Sequence, residues 1–327
     1  MKKILVCGAG GFIGGHLVAH LLKTYPAYKI KAVDIKPYEQ WYQRHDGVDN
    51  WCHWDLRTER ACMKLTEGCS TVYNLAADMG GMGFIENNKA ACMLSVLINT
   101  HLLQAAKKHE VEHYFYASSA CVYAADKQAE AEVVALREED AYPAYPEDGY
   151  GWEKLFSERM TRHFHEDYGL DIRIARFHNV YGPHGTWDGG REKAPAAICR
   201  KVALAKLTGK HEIDIWGDGT QTRSFMWIDD CIEGISKLQL KEFREPINLG
   251  SSELVTVNRL VTIVEDIADV RCHRNYILDA PKGVRGRNSD NTLIKELLGW
   301  EPSTKLVDGL AKTYAWVFNE LKARDDL

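Results

Sequence analysis

Three residues in the middle of the chain have the types and the spacing needed to move hydride at an alcohol carbon. Tyr150 and Lys154 are four residues apart, so on a helix they share one face. A lysine cation beside a tyrosine lowers the pKa of the phenol, and a tyrosinate can then remove a hydroxyl proton as hydride leaves the same carbon. Ser119 can hydrogen-bond the reacting oxygen. We therefore predict Ser119, Tyr150 and Lys154 to be catalytic.

Cys121 follows Ser119 by two residues, and hydride transfer needs no thiol. A thiolate beside a transient ketone has a use, because hydrogens on the carbons that flank a ketone are acidic. Thiols begin near a pKa of about 8.5, and adjacent cations lower that pKa. We predict that Cys121 transfers a proton at carbon. The alternative is a small buried hydrophobic residue, which is the commonest fate of a free cysteine.

The elements that must position these residues begin with a glycine-rich turn. The apolar run Ile4 to Cys7 leads into glycines at three-residue spacing, which are Gly8, Gly11 and Gly14. Glycine permits a tight turn and lets a pyrophosphate approach the N-terminus of the following helix, where Phe12 and Ile13 lie.

Asp34 ends the second predicted strand and lies twenty residues beyond Gly14. Its carboxylate can accept from ribose hydroxyls and would repel a 2'-phosphate, so the pattern predicts NAD rather than NADP. The positive nicotinamide would help Lys154 to lower the pKa of Tyr150. Asp55 could reach the adenine, and Ala76 ends a strand with the small side chain that close cofactor approach requires. A structural turn with a surface aspartate is the alternative.

Apolar runs alternate with helical patterns through the first half of the chain. These apolar runs predict buried parallel strands. The predicted strands are Ile4 to Cys7, Ile30 to Val33, Val72 to Ala76, Tyr114 to Ser118 and Ile172 to Ala175. A long helix is predicted from about Asn87 to about His109. This alternation predicts an α/β fold with a Rossmann-type doubly wound parallel sheet.

After Phe177 the sequence contains more predicted loops. This change indicates a smaller, mostly C-terminal substrate-binding lobe over the carboxyl ends of the strands. We predict an NAD-binding domain from residues 1–177 plus about 225–253. Residues of about 178–224 plus 254–327 would then form the nucleotide-sugar-binding domain.

Composition excludes several classes of function. The chain has 327 residues and a formal net charge of -5, which argues against binding to nucleic acid or to a membrane surface. Its nine cysteines show neither zinc-ligand spacing nor a disulfide framework, so we predict no metal and a reducing, cytoplasmic compartment. No apolar stretch approaches the length of a membrane span, about 18 residues.

The glycine turn, the serine run and the Tyr-x-x-x-Lys pair together resemble the extended short-chain dehydrogenase/reductase superfamily. The segments Asn179 to Pro183 and Trp216 to Phe225 are similar to its nucleotide-sugar enzymes. That resemblance implies NAD-dependent chemistry at a sugar. Dehydratases of the superfamily carry an Asp-Glu pair after the serine or threonine, where this chain has Ala120-Cys121-Val122, so dehydration is disfavoured.

Longer segments resemble the GDP-mannose 3',5'-epimerase family, and they are Ala77 to Phe84, Gly189 to Ala197, Gln221 to Phe225 and Gly283 to Asp290. In that family, residues that match Cys121 and Lys193 are the acid/base pair, and those that match Tyr150 and Lys154 serve the redox step. The resemblance implies a GDP-sugar substrate, inversion at C3 and C5, and the products GDP-L-galactose and GDP-L-gulose. It also implies GDP-sugar contacts, at Gly80, Ser119, Asn179, Glu192, Lys193, Ala194, Lys201, Gln221, Arg223 and Arg287.

The residues alone leave several alternative roles and functions open. Lys193 could be a solvated surface lysine, and Arg287 could pair with a local acid rather than with phosphate. His184 follows Gly182-Pro183, the context in which the similar GDP-fucose synthases, which are 3,5-epimerase/reductases, use a histidine as acid. That function is the principal alternative, although Asp34 disfavours the NADPH those enzymes prefer. A non-catalytic NAD-binding scaffold is a further alternative.

The resemblance also implies a homodimer, because relatives associate through two helices of each subunit. The corresponding helices here are those around Asn87 to His109 and Gly151 to Tyr168.

Overall fold

A computed structural model of the protein describes residues 2–281 and 283–324. The strands in chain order are β1 (Lys3–Cys7), β2 (Lys29–Val33), β3 (Asp49–Trp51), β4 (Thr71–Asn74), β5 (His113–Ser119), β6 (Asp171–Phe177), β7 (Val180–Tyr181), β8 (Glu212–Trp216), β9 (Thr222–Ser224), β10 (Met226–Trp227), β11 (Pro246–Leu249), β12 (Leu254–Thr256), β13 (His273–Ile277) and β14 (Gly286–Arg287). The helices are α1 (Phe12–Thr24), α2 (Glu59–Thr66), α3 (Met82–Asn87), α4 (Lys89–Met93), α5 (Val96–Lys108), α6 (Asp148–Tyr168), α7 (Ala194–Thr208), α8 (Ile228–Gln239), α9 (Val257–Ala268), α10 (Thr292–Leu298) and α11 (Leu306–Lys322).

Seven parallel strands form the main sheet in the order β11-β6-β5-β4-β1-β2-β3. Helices α1 and α8 pack together, and α5 packs against both α2 and α6. The central strands are buried because helices cover both faces of the sheet, which is why their sequences are continuously apolar. The predicted doubly wound parallel sheet is therefore confirmed.

The order of the strands decides where a ligand can bind. Strand β1 has β2 on one side and β4 on the other, so the chain reverses its direction of travel across the sheet at β1 and β4. Ligands of such sheets bind beside the carboxyl ends of the strands at this switch point. The loops after β1, β4 and β5 lead away from the carboxyl ends of neighbouring strands, and they carry the glycine turn, Gly80 and Cys121.

The remaining strands form three small sheets, with the orders β10-β7, β12-β9-β14 and β13-β8. One hydrophobic cluster contains Ile4 and Val6 of β1 together with Ile198 of α7 and Val317 of α11. Because the core is shared between the two parts of the chain, the division into an NAD-binding and a nucleotide-sugar-binding domain stays a prediction.

The long helix predicted from Asn87 to His109 is wrong, because the structure divides this segment into separate helices. Asn88 leaves helical geometry at φ -134° and ψ 40°, and its side-chain amide donates to the carbonyl of Phe84 at 2.8 Å. A second interruption separates α4 from α5 at Leu94 and Ser95. Side-chain capping by asparagine competes with the helical backbone, and apolar periodicity alone does not reveal it.

His178 follows β6 in the core, where it is fully buried. Its Nε2 atom lies 2.8 Å from Oδ1 of Asn248, and burial lowers the pKa of His178 to about 4. The unfolded histidine titrates near pH 6.5, so between these values the unfolded chain binds more protons than the folded one. Folding stability should therefore fall as the pH falls through this window, by about 3 kcal/mol from this residue across the whole window and by about 2 kcal/mol at pH 5.

Urea unfolding at about pH 7.5 and about pH 5 checks this prediction. His178→Gln keeps a hydrogen-bond donor but cannot titrate, so the variant should lose less stability on acidification than the wild type. Equal losses in the two proteins would contradict the prediction.

In the part of the chain that the structure describes, no helix is long and apolar enough to cross a membrane. The same residues contain no group of three or more histidine, cysteine, aspartate or glutamate side chains that could hold a metal ion.

Candidate active site

The glycine turn between β1 and α1 forms a cradle that only small residues permit. Gly8 has φ +79°, and a Cβ atom added to it would lie 3.0 Å from the backbone nitrogen of Ala76. A Cβ on Gly14 would lie 2.1 Å from the carbonyl oxygen of Gly8. Gly11 caps α1 without a side-chain hydrogen bond, so Phe12 and the following residues present free backbone N–H groups. This N-terminus fits a pyrophosphate.

Asp34, at the end of β2, is the predicted partner of a ribose. It is almost fully buried, and its Oδ1 atom accepts from the backbone N–H of Lys36 at 3.0 Å. Burial raises the pKa of Asp34, while hydrogen bonds from the backbone N–H groups of Lys36, Gly10 and Ile35 act in the opposite direction. The cradle and this carboxylate lie together at the switch point, as the binding of NAD requires.

The structure gives less support to the other predicted cofactor contacts, Ile13 and Asp55. Ile13 is the second residue of α1 and is partly buried. Asp55 is held by Arg57, whose Nη2 atom donates to Oδ2 at 2.7 Å, and this bond lowers the pKa of Asp55. A contact between Asp55 and adenine therefore stays a prediction.

Strand β5 and helix α6 bring the three hydride-transfer residues together. Ser119 ends β5, and its Oγ atom accepts from the backbone N–H of Cys121 at 3.2 Å. Tyr150 shares a hydrogen bond with Ser119. The Lys154 ammonium lies 5.6 Å from the centroid of the Tyr150 ring and donates to the carbonyl of Ala117 at 3.0 Å. The arrangement can abstract a proton from a bound alcohol.

The direction of the Tyr150 pKa differs from the prediction. Burial raises this pKa well above its ordinary value, and the charges of Cys121 and Glu153 raise it further, while the hydrogen bond with Ser119 lowers it. These protein groups by themselves favour the protonated phenol. Bound NAD would supply both the hydride acceptor and the positive nicotinamide charge that favours the tyrosinate.

Glu153 is a buried carboxylate that the sequence analysis did not identify. Its Oε1 atom accepts from the Tyr116 hydroxyl at 3.2 Å and from the Ser157 hydroxyl at 3.1 Å. Its Oε2 atom lies 3.8 Å from the Lys154 ammonium. Glu153 therefore compensates the charge of Lys154, and its position directly before Lys154 was the available signal.

Cys121 is buried beside Tyr150, and three cations act on its thiol. The Nη1 atom of Arg287 donates to the sulfur at 3.6 Å. Arg223 and Lys193 interact electrostatically with the same thiol. Burial lowers the pKa of Lys193, which makes its ammonium a better proton donor. The structure thus places Lys193 within electrostatic range of Cys121, and Cys121 packs with Tyr150 of the hydride-transfer residues.

Arg287 lies against the thiol rather than in open solvent. It forms an ion pair with Glu147, and its Nε atom donates to Oε1 of Gln128 at 2.6 Å. Arg287 therefore pairs with a local acid, Glu147, which was the alternative to a phosphate contact in the sequence analysis. A contact between Arg287 and phosphate stays a prediction. Neither Glu147 nor Gln128 was identified from the sequence, because each is more than a hundred residues from Arg287.

Two more of the predicted substrate residues donate side-chain hydrogen bonds to backbone carbonyls, and a third, Arg223, lies within electrostatic range of Cys121. Asn179 has φ +37°, and its amide donates to the carbonyl of Ser224 at 3.1 Å. The Gln221 amide donates to the carbonyl of Trp216 at 2.7 Å. Burial lowers the pKa of Arg223 to about 10. These contacts hold the polar side chains in place, and their binding to a substrate stays a prediction.

The remaining substrate candidates lie on or beside α7 and after β4. Ala194 is the first residue of α7, and the Lys201 ammonium of the same helix donates to the carbonyl of Asp214 at 2.6 Å. Glu192 pairs with Arg200 at 3.0 Å. Gly80 is buried in the loop between β4 and α3.

His184 makes its contacts with α1 and α11. Its ring centroid lies 5.8 Å from that of His16 and 5.4 Å from that of Trp316. Among residues 2–281 and 283–324, no hydrogen bond, ring contact or electrostatic interaction joins His184 to Cys121. These contacts favour Lys193 over His184 as the partner of the thiol.

A Rossmann-type sheet that carries a glycine cradle and a Ser-Tyr-Lys trio defines an NAD-dependent enzyme. Residues 4–250 match the model of the NAD dependent epimerase/dehydratase family. The chain belongs to this family and is an NAD-dependent isomerase, which confirms the predicted cofactor and the predicted kind of enzyme.

Curated relatives extend the match to nearly the whole chain. It is 48% identical to GDP-mannose 3,5-epimerase 1 of Oryza sativa subsp. japonica, over 98% of this chain and 82% of the relative. It is 46% identical to GDP-mannose 3,5-epimerase of Arabidopsis thaliana, over 98% and 83% of the two chains. The predicted resemblance is thereby confirmed.

Solved structures show the same fold. UDP-glucuronic acid 4-epimerase from Bacillus cereus, in complex with UDP-glucuronic acid and NAD, superimposes with a TM-score of 0.82 at 27% identity. The match covers 98% of this chain and all of that one. UDP-glucose 4-epimerase from Thermotoga maritima gives a TM-score of 0.87 at 24% identity, over 98% and 100% of the two chains.

Proposed function

We propose that this protein epimerises GDP-mannose at C3 and C5, giving GDP-L-galactose, with GDP-L-gulose as the product of inversion at C5 alone. The observation that carries the proposal is that Cys121 packs with Tyr150 of the hydride-transfer trio and lies within electrostatic range of Lys193. A 4-epimerase needs only the trio. The added thiol and ammonium supply the acid and base that inversion beside a ketone requires. The curated relatives, which are named for this reaction, support it.

Ser119, Tyr150 and Lys154 carry out the first step, which is oxidation at C4. NAD would accept hydride from C4 of the sugar and later return it. Tyr150 removes the proton of the C4 hydroxyl, and Ser119 hydrogen-bonds the same oxygen. Lys154 keeps positive charge beside the phenol. The reverse of this step restores the C4 alcohol, so no external reductant is consumed.

Cys121 and Lys193 carry out the inversion at C3 and C5. The C4 ketone acidifies the hydrogens on C3 and C5, because the electron pair left on carbon spreads onto the carbonyl oxygen. Cys121 and Lys193 remove a proton from one face of the carbon and return one to the other face. Burial lowers the pKa of Lys193, which makes its ammonium a better donor of that proton.

The proposal is tested by turnover of GDP-mannose in heavy water. A proton exchanged at C3 or C5 is replaced by deuterium, which NMR or mass spectrometry of the product locates. We expect deuterium at one or both carbons. Conversion that leaves both positions unlabelled would eliminate the mechanism.

The contacts of the site also bear on the principal alternative, a 3,5-epimerase/reductase that resembles GDP-fucose synthase. That function would favour an acidic histidine beside the thiol and an NADPH site. His184 instead contacts His16 and Trp316, and Asp34 is poorly suited to a 2'-phosphate. Both observations support the GDP-mannose reaction.

We also propose that the protein is cytoplasmic. All nine of its cysteines are free, which supports a reducing compartment.

We further propose a homodimer formed through α6 and the α4–α5 segment. Trp152 and Phe156 are one turn apart on α6 and expose 46% and 53% of their surfaces. Met93 and Leu94 expose similar fractions, and Met93 packs beside Gly149 of α6. Exposed apolar side chains on these packed helices are costly in water, and they support burial against a second copy.

Replacing both Trp152 and Phe156 with arginine should convert the dimer to a monomer, because a like-charged pair replaces the apolar contact. Light scattering after size-exclusion chromatography measures the mass. Leu240→Arg, at an exposed site after α8, is the matched control and should leave the mass unchanged. A wild-type protein that is already monomeric would refute the proposed dimer.

A further inference from the structure

Two loops from different parts of the chain meet beside the site. One lies between β4 and α3, and the other precedes α7 and carries Lys193. The Nη1 atom of Arg191 donates to Oδ1 of Asp78 at 2.8 Å and to the carbonyl of Met79 at 3.4 Å. The guanidinium lies 3.7 Å from the centroid of the Phe84 ring, and the carbonyl of Arg191 accepts from the N–H of Gly81 at 3.1 Å. We call these contacts the Arg191 clasp.

The backbones of the two loops touch at Gly81. A Cβ atom added there would lie 2.4 Å from the carbonyl oxygen of Glu192 and 4.0 Å from Cα of Lys193. Only glycine allows this approach. On the other side, Glu192 accepts from Arg200 at 3.0 Å and from the N–H of Gly190 at 2.7 Å. The backbone that leads into Lys193 is therefore held from two directions.

The side chain of Lys193 has no such support. Among the residues that the structure describes, its ammonium makes no hydrogen bond and no ion pair. Lys193 lies within electrostatic range of Cys121, and its position there depends on where its backbone is anchored. An exposed ion pair such as Arg191–Asp78 is weak by itself, but the stacking on Phe84 and the backbone bond to Gly81 add to it.

We propose that Arg191 is a positioning residue, whose clasp holds Lys193 opposite Cys121 for proton transfer at carbon. This inference rests on the proposed function. The hydride-transfer residues stand on β5 and α6, and neither element contributes to the clasp. Loss of the clasp should therefore impair proton transfer and spare hydride transfer.

Arg191→Met tests the inference, because it keeps a long apolar side chain and removes the guanidinium. With saturating GDP-mannose in heavy water, deuterium incorporation should slow by about tenfold to about a hundredfold, as expected when a reacting group is misplaced. C4 oxidation, followed as NADH absorbance in a single turnover, should stay within about twofold of the wild-type rate. General structural damage would slow both steps together.

Two further variants separate the ion pair from the backbone contact. Asp78→Asn should slow deuterium incorporation, and the double variant with Arg191→Met should be no slower than Arg191→Met alone. Gly81→Ala should slow the same step with no change of charge. Arg271→Met, which removes an exposed arginine paired with Asp266, is the control and should match the wild type.

The outcomes distinguish the two proposals. If the wild type incorporates no deuterium, the proposed function and the positioning role both fail. If the wild type incorporates deuterium and Arg191→Met matches it, or loses C4 oxidation equally, only the positioning role fails. Amide hydrogen exchange gives an independent reading, since peptides that span 78–84 and 189–193 should exchange faster in Arg191→Met. Unchanged exchange in both peptides would also overturn the role of Arg191.

Discussion

Cys121→Ala should stop inversion at C3 and C5 while C4 oxidation continues. Loss of a group that transfers a proton in the transition state costs about a hundredfold to about ten-thousandfold in rate. The hydride-transfer trio does not include the thiol, so NADH should still form when GDP-mannose is added. The keto-sugar cannot be inverted, and the deuterium content of recovered sugar should stay near background.

Cys92→Ala is the matched control for this variant. Cys92 is a second buried cysteine in the same small apolar cluster as Cys121 and Tyr150, and no role in the reaction is assigned to it. The control should retain inversion within a few-fold of the wild type. An active Cys121→Ala variant that incorporates deuterium at the wild-type rate would reject the role of the thiol.

Tyr150→Phe should abolish C4 oxidation and, with it, every later step. The substitution removes the hydroxyl that takes the proton of the C4 alcohol, and the expected loss is about a thousandfold. Neither NADH nor deuterated sugar should appear, which distinguishes this variant from Cys121→Ala. Tyr145→Phe removes a hydroxyl from an exposed tyrosine five residues earlier and should behave as the wild type.

The same residue sets the expected pH dependence of oxidation. Burial raises the pKa of Tyr150, and a proton acceptor must first lose its own proton. The rate of C4 oxidation should therefore rise with pH as the phenol ionises. Measurements of NADH formation across pH in the wild type check this sign, and a flat profile would argue against Tyr150 as the base.

Local spacing in the sequence was enough to predict the cofactor cradle and the hydride-transfer trio. Gly8 and Gly14 close a turn within one strand–helix unit, and Tyr150 and Lys154 share a face of one helix. These relations follow from the geometry of single elements, so they do not depend on how the rest of the chain packs. The parallel sheet was predictable for the same reason, because its buried strands are continuously apolar.

Other features depended on the surroundings of each residue. The direction of the Tyr150 pKa could not be predicted from Lys154 alone, because burial and the charges of Cys121 and Glu153 raise it. The helix from Asn87 to His109 was interrupted by the capping side chain of Asn88. Arg287 matched a phosphate-binding residue by resemblance, yet it contacts Cys121, Gln128 and Glu147 here.

The sequence by itself determined which chemical groups this protein possesses, since residue type and short spacing define a dinucleotide cradle, a tyrosine base and a reactive thiol. The tertiary structure alone decided which groups meet. Cys121 and Lys193 lie seventy-two residues apart in the chain, and Asp78 and Arg191 are separated by 113. Proximity across such separations comes from the packing of loops at one edge of the sheet, and no local pattern encodes it.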